Sequence, residues 1–192
     1  MGRRRARRGA ARSATLLALL ALTGPGLARA DVANPLADLV DAAAQRLAIA
    51  EPVAAAKWTT RTPIEDPSRV QQQLAALAAD AAAHNVDPDY VTRVFADQIG
   101  ATEALEYQHF AQWKLDPASI PVAAPDLSTS RAVADDLNGV MLGEIRLQWA
   151  ALHSPECAGR LEAARREASS QRQLDAVYRR ALSFATRSYC AP

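Results

Sequence analysis

Apolar residues recur every three or four positions along most of this chain, which is the period of an α-helix. No stretch shows sustained alternation of apolar and polar residues, and alanine is abundant. Both features are typical of an all-α protein. Prolines and turn residues divide the pattern into four long predicted helices and one or two shorter ones, a single-domain bundle of about six helices. The predicted ranges are 35–58, 67–84, 88–113, 128–152 and, for the short helices, within 156–190.

The third predicted helix carries two polar residues on its apolar face. At about 100° per residue, that face consists of Val91, Val94, Phe95, Ile99, Leu105 and Trp113. Thr102 and Glu106 lie about 20° and 60° from Val91, inside the same face. The opposite face is predicted to carry Arg93, Asp97, Glu103 and Tyr107. A carboxyl directed at the core requires a partner, because burying an unpaired charge is costly.

The other long helices each place a cation on or beside the apolar stripe. Arg46 and Lys57 flank the stripe of the first helix and, 11 residues apart, leave the same side after almost three turns. The second helix carries Arg69 and Gln73, and the fourth carries Arg131. A single cation of this kind usually extends to solvent. Their convergence with the polar pair of the third helix predicts instead a pocket for a small molecule with about two carboxylates.

The first 30 residues have the three parts of a secretory signal peptide. A segment with six arginines precedes an apolar run over residues 14–22, and the small-residue pattern Ala28-Arg29-Ala30 follows. We predict cleavage after Ala30, which leaves a mature domain over residues 31–192. The apolar run is short for a bilayer span, so an uncleaved anchor is the less favoured alternative. The mature protein is predicted to be secreted or periplasmic and not membrane-bound.

Removal of the signal reverses the charge of the chain. Seven of the 22 lysines and arginines lie in residues 1–30, which leaves 15 against 21 acidic residues and a net charge of −6. The basic character of the whole chain therefore belongs to the export signal, and we predict no nucleic-acid partner.

The mature chain contains two cysteines, Cys157 and Cys190. In an exported protein an even cysteine count indicates a disulfide. Their spacing fits no metal-binding motif, and no histidine has a histidine partner three or four residues away, so we predict no metal site.

Four stretches together resemble the secreted, all-helical chorismate mutases, the γ subclass of the AroQ type. They occur in the family's order and spacing, and the resemblance covers the whole mature chain, including the cysteine pair. It implies a chorismate mutase II-like fold and the isomerisation of chorismate to prephenate, a reaction of the phenylalanine and tyrosine pathway, outside the cytoplasm. The stretches are "LVDAAAQRLAIAEPVAAAKW", "PIEDPSRVQQQL", "DPDYVTRVFADQIGATEALEYQHF" and "WKLDPASIPVAAPDLSTSR".

The resemblance also implies roles for particular residues. The positions that match the family's substrate contacts are Arg46, Lys57, Asp66 (a weaker match), Arg69, Gln73, Thr102, Glu106 and Arg131. The residues expected to act on the reaction itself are Arg46, Lys57, Glu106 and Arg131. Lys57 and Glu106 would both donate hydrogen bonds to the ether oxygen of chorismate, and only a protonated carboxyl can donate.

The resemblance implies no cofactor, because the rearrangement takes place within one molecule. It also implies a homodimer, which nothing in the sequence itself indicates. From the residues alone one alternative stays open, a non-catalytic exported helical module that binds a small anionic metabolite. Such a module would use the same arginines for affinity and would not need Lys57 and Glu106 together.

Overall fold

A computed structural model describes residues 33–123 and 126–190, so the predicted signal peptide and its cleavage site lie outside the described residues. Regular structure within the described ranges is entirely helical, which confirms the predicted all-α class. A 3₁₀ turn over Pro117–Ser119 follows the fourth helix. The α-helices are α1 (Ala37–Ala48), α2 (Ala50–Thr60), α3 (Pro67–Ala83), α4 (Pro88–Leu115), α5 (Leu127–Leu147), α6 (Trp149–Leu152), α7 (Cys157–Gln171) and α8 (Ala176–Ala185).

Two of the predicted long helices are each interrupted once. The first breaks at Ile49 between α1 and α2. Pro52 explains this break, because it has no N–H for the carbonyl of Ala48 and its ring would clash with that carbonyl. The fourth predicted helix, over residues 128–152, breaks at Gln148 between α5 and α6. No proline or glycine stands at this break, and nothing in the local sequence explains it.

Helix α4 lies at the centre of the bundle and packs against α1, α2, α3 and α8. Its predicted apolar face is buried, as the structure shows for Val91, Phe95 and Leu105. The opposite face of α4, on which Asp97 was predicted to lie, is partly buried as well. Asp97 is 5% exposed, and its carboxylate accepts hydrogen bonds from Arg187 Nε at 2.9 Å and Ser188 Oγ at 2.6 Å. The segment after α8 covers this side of α4.

The main hydrophobic core takes side chains from α1, α3, α4, α5, α7, α8 and the segment after α8. Tyr90, Phe95 and Tyr189 are among its largest buried side chains. A separate small cluster around Trp113 joins α2 to the C-terminal part of α4. The Cys157–Cys190 disulfide is confirmed, with an S–S distance of 2.06 Å. It joins the first residue of α7 to the segment after α8. In the part of the chain that the structure describes, no helix combines the length and the apolar character that crossing a membrane would require.

Candidate active site

One cavity collects side chains from α1, α2, α3, α4 and α5. It encloses about 660 Å³, including space open to solvent. Its apolar lining consists of Ile49, Val53, Ile64, Val70, Ile99 and Ala134. The structure brings all eight sequence-predicted site residues to this cavity: Arg46, Lys57, Asp66, Arg69, Gln73, Thr102, Glu106 and Arg131.

Lys57 and Glu106 form a buried pair inside the cavity. The ammonium Nζ of Lys57 donates to Glu106 Oε2 at 2.8 Å and to the backbone carbonyl of Ile64 at 2.6 Å. The two side chains are 9% and 4% exposed. Burial raises the pKa of the Glu106 carboxyl, against the opposing influence of Lys57 and the more distant Arg131. Glu106 therefore keeps its proton to a higher pH than an ordinary glutamate does.

Arg46 is held by neutral acceptors. It is 5% exposed. Its Nε donates to Asn138 Oδ1 at 2.6 Å, and its Nη1 donates to Thr102 Oγ1 at 3.3 Å. Thr102 Oγ1 in turn donates to the carbonyl of Gln98 at 2.9 Å. Burial lowers the pKa of Arg46 to about 10, so the guanidinium is a cation at neutral pH.

Arg69 and Arg131 lie at the edge of the cavity, with about a third of each side chain exposed, so they point inward less completely than predicted. Arg131 Nη2 is 3.9 Å from Asp66 Oδ2 on the other side of the opening. Arg69 Nη2 is likewise 3.9 Å from Asp135 Oδ2. These paired side chains connect α3 with α5 across the cavity.

Asp66 and Gln73 also belong to this edge. Asp66 is the N-cap of α3, where its Oδ1 accepts from the backbone N–H of Arg69 at 3.1 Å and Pro67 occupies the first helical position. Gln73 Nε2 donates to Asp135 Oδ1 at 3.2 Å. Asp66 thus fixes the start of the helix that presents both Arg69 and Gln73.

Sequence reasoning missed several residues at the cavity. Glu103 lines it and is half-buried, so its assignment to the opposite face of α4 was wrong; the cavity extends round the flank of the helix. Ser130 is buried beside it, and Asn138 holds Arg46. Asn138 could have been found, since it lies seven residues after Arg131 and therefore on the same side of a helix.

The arrangement combines two chemical capacities. Three guanidinium groups at different points of one cavity can bind a small molecule with more than one carboxylate. An ammonium beside a carboxyl of raised pKa offers two adjacent hydrogen-bond donors, once the carboxyl is protonated, to an oxygen that gains negative charge. Fold and site therefore define a small all-α protein with a partly buried cavity lined by arginine and lysine side chains.

Comparison with known proteins identifies the family. The model of the family "Chorismate mutase type II" matches residues 31–107. The secreted chorismate mutase of Mycobacterium tuberculosis is 57% identical over 175 residues, covering 91% of this chain and 88% of that protein. The secreted chorismate mutase of Mycolicibacterium smegmatis is 53% identical over 176 residues, covering 91% and 97%. The chain belongs to the all-helical, secreted chorismate mutases of the AroQ type.

Solved structures agree with this assignment. The chorismate mutase from Burkholderia thailandensis has a TM-score of 0.77 at 34% identity, covering 82% of this chain and 99% of that chain. The chorismate mutase from Burkholderia phymatum has a TM-score of 0.79 at 24% identity, covering 83% and 98%. At that lower identity the second comparison shows a shared fold only.

Proposed function

We propose that this protein is an exported chorismate mutase that isomerises chorismate to prephenate. Its family membership supports the reaction. The observation in this chain that carries the proposal is the buried Lys57–Glu106 pair in a cavity bordered by Arg46, Arg69 and Arg131. A module that only bound an anionic metabolite would need the arginines but not this pair.

The rearrangement breaks one C–O bond and forms one C–C bond within the same molecule. The protein therefore supplies no nucleophile and takes up no group. Its contribution is to hold the substrate in the folded conformer in which the two reacting carbons are close. We assign this role to Arg46, Arg69 and Arg131, which bind the substrate carboxylates, with Gln73 binding the hydroxyl and Thr102 supporting Arg46.

Lys57 and Glu106 are assigned to the ether oxygen, which becomes negative as the C–O bond breaks. Two donors directed at that oxygen stabilise the transition state more than the substrate. Glu106 donates only when protonated, and its raised pKa favours that form. Substrate binding would replace the direct Lys57–Glu106 hydrogen bond with one hydrogen bond from each residue to the oxygen.

Asp66 is assigned a supporting role at the opening. Its carboxylate lies near Arg131 and caps the helix that carries Arg69. Because all bonds that change lie within the substrate, the proposed reaction uses neither a cofactor nor a metal.

We further propose that the protein is exported with cleavage after Ala30 and is a homodimer. Export is supported by the signal-like sequence of residues 1–30 and by the two curated relatives, both named secreted. The exported protein should begin at Asp31 on N-terminal sequencing. Light scattering after size exclusion should give the mass of two mature chains.

Incubation of the purified mature protein with chorismate tests the function. A mutase removes the ultraviolet absorbance of chorismate and yields prephenate at rates proportional to protein concentration. The non-catalytic alternative binds chorismate in calorimetry without turnover. A protein that neither binds nor converts chorismate would contradict both.

A further inference from the structure

We propose that Asn138 is a positioning residue for Arg46, and that its lack of charge keeps the Arg46 guanidinium available to a substrate carboxylate. This inference rests on the proposed function, in which Arg46 binds chorismate. Asn138 touches Arg46 and is assigned no direct contact with substrate.

The contact between the two residues is short and buried. Arg46 Nε lies 2.6 Å from Asn138 Oδ1, and the two residues are 5% and 4% exposed. They come from helices that are distant in sequence, Arg46 from the last turn of α1 and Asn138 from the middle of α5. Since α1 packs directly against α5, the bond fixes the guanidinium relative to both helices.

The bond also determines which edge of Arg46 can bind an anion. A guanidinium presents its N–H groups in a planar fork, and a carboxylate binds best to two of them at once. Asn138 occupies Nε and Thr102 approaches Nη1 at 3.3 Å. Among residues 33–123 and 126–190, no side chain or backbone group accepts a hydrogen bond from Nη2. The edge formed by Nη1 and Nη2 is therefore the one left for a ligand.

The acceptor at position 138 is an amide where arginine's usual partner would be a carboxylate. The charged groups that influence Arg46 from its surroundings include Asp135, Arg69 and the phenol of Tyr189. Of these, only Asp135 is a carboxylic acid, and its side chain is exposed on α5. A carboxylate at position 138 would neutralise Arg46 from within the protein. An amide oxygen gives the same geometry and leaves the positive charge to be balanced by the substrate.

Two substitutions separate geometry from charge. Asn138→Asp has the same shape and keeps an acceptor but adds a negative charge, whereas Asn138→Ala removes the acceptor. The matched control is Gln71→Glu, which adds the same charge at an exposed position on α3. For each protein we would measure kcat and KM for chorismate, the Kd for prephenate by calorimetry, and Tm.

We expect Asn138→Asp to raise KM and the Kd for prephenate by about tenfold or more, because a buried neutralised arginine loses much of its attraction for a carboxylate. Its Tm should stay at or above that of the wild type, and kcat should change less than KM. Asn138→Ala should lower kcat/KM by a similar factor, since Arg46 is no longer oriented. The Gln71→Glu protein should match the wild type.

An Asn138→Asp protein with wild-type KM and Kd would overturn the role assigned to charge. An Asn138→Ala protein that folds and keeps wild-type kcat/KM would overturn positioning. If Asn138→Ala does not fold, the isosteric Asn138→Asp variant still decides the proposal. If the wild type fails to convert chorismate, the proposed function is wrong, and the prephenate Kd values alone then test Asn138.

Discussion

The carboxyl of Glu106 has an environment that favours its neutral form. It is 3% exposed, and burial raises its pKa although Lys57 lies 2.8 Å away. A raised pKa means that the protonated form persists to a higher pH than in solution. If the protonated form is the hydrogen-bond donor in catalysis, kcat/KM is at its maximum below this pKa and falls as the pH rises through it.

The first prediction concerns this loss at rising pH. Glu106→Gln replaces the titrating donor with an amide that donates at every pH. We expect this variant to retain substantial activity and to lose the decline in kcat/KM that the wild type shows as pH rises. The control is Glu103→Gln, a change to a second glutamate at the cavity, whose pKa burial also raises. This control should keep the decline, and a Glu106→Gln protein inactive at every pH would contradict the donor role.

The second prediction concerns Lys57, whose Nζ is shared between Glu106 and the Ile64 carbonyl. Lys57→Ala removes a donor directed at charge that develops only in the transition state. We expect kcat to fall by about 10²–10³ or more, while the helical circular dichroism is retained. Steady-state kinetics decides the matter: a change confined to KM would reassign Lys57 to ground-state binding.

Helical periodicity explains which site residues the sequence makes visible. Thr102 and Glu106 stand out because each is a polar residue in a continuous apolar face of α4. Asn138 and Glu103 do not stand out in this way. The signal for Asn138 is only its spacing of seven residues from Arg131, and Glu103 is recognisable only once the neighbouring helices are placed beside α4. The segment after α8 buries Asp97 on another side of α4. This burial depends on tertiary packing, so the sequence pattern of α4 alone cannot predict it.

Helices α3 and α5 meet across the cavity mainly through charged and polar side chains. Asp135 on α5 accepts from Gln73 and lies 3.9 Å from Arg69, while Asp66 at the start of α3 lies 3.9 Å from Arg131. If Arg69 and Arg131 bind the substrate carboxylates as proposed, a carboxylate of the protein lies near each of these arginines before substrate arrives. On this proposal, a bound dianion competes with Asp135 and Asp66 for the two guanidinium groups.

The third prediction tests that competition at Asp135. Asp135→Asn keeps an acceptor for Gln73 and removes the negative charge beside Arg69. We expect KM for chorismate to fall about two- to fivefold with kcat nearly unchanged, because an exposed ion pair of this kind is weak. The matched control is Asp136→Asn, the same change one residue along α5 at an exposed position, which should leave KM close to the wild-type value. A rise in KM specific to Asp135→Asn would mean that Asp135 orients Arg69 and Gln73.

Proline and capping residues explain where the long helices begin. Of the two interior breaks, the sequence explains the one at Ile49 and not the one at Gln148. Pro67 and Pro88 stand at the first positions of α3 and α4, each after a capping aspartate. Pro52 explains the break at Ile49. The helical period of apolar residues nevertheless continues through this position, so the pattern alone predicts one unbroken helix. Arg46 and Lys57 still line the same cavity on either side of the break.

At the scale of the whole molecule, the cavity and the disulfide belong to different parts of the bundle. Residues that line the cavity come from α1 to α5 and from the loop before α3. The Cys157–Cys190 bond joins α7 to the segment after α8. That segment also binds α4 through Arg187 and Ser188, which donate to Asp97, and through the Tyr189 carbonyl, which accepts from Tyr90 Oη at 2.6 Å. The disulfide therefore lies on the side of α4 away from the cavity.

The fourth prediction follows from this separation. The disulfide spans 33 positions, and in the chain-entropy model a loop of that length contributes about 3–4 kcal/mol to the free energy of unfolding. Cys157→Ser, Cys190→Ser and the double variant should each lose a similar amount in urea titrations, since any of them breaks the same bond. At temperatures where these variants remain folded, kcat for chorismate should stay within about twofold of the wild type, because none of the cavity residues lies on α7 or α8. The contradicting outcome is a kcat that falls in parallel with stability in protein that circular dichroism shows to be folded. It would mean that the contacts of Asp97 and Tyr90 with the terminal segment set the position of α4. The position of α4 would in turn set those of Thr102 and Glu106.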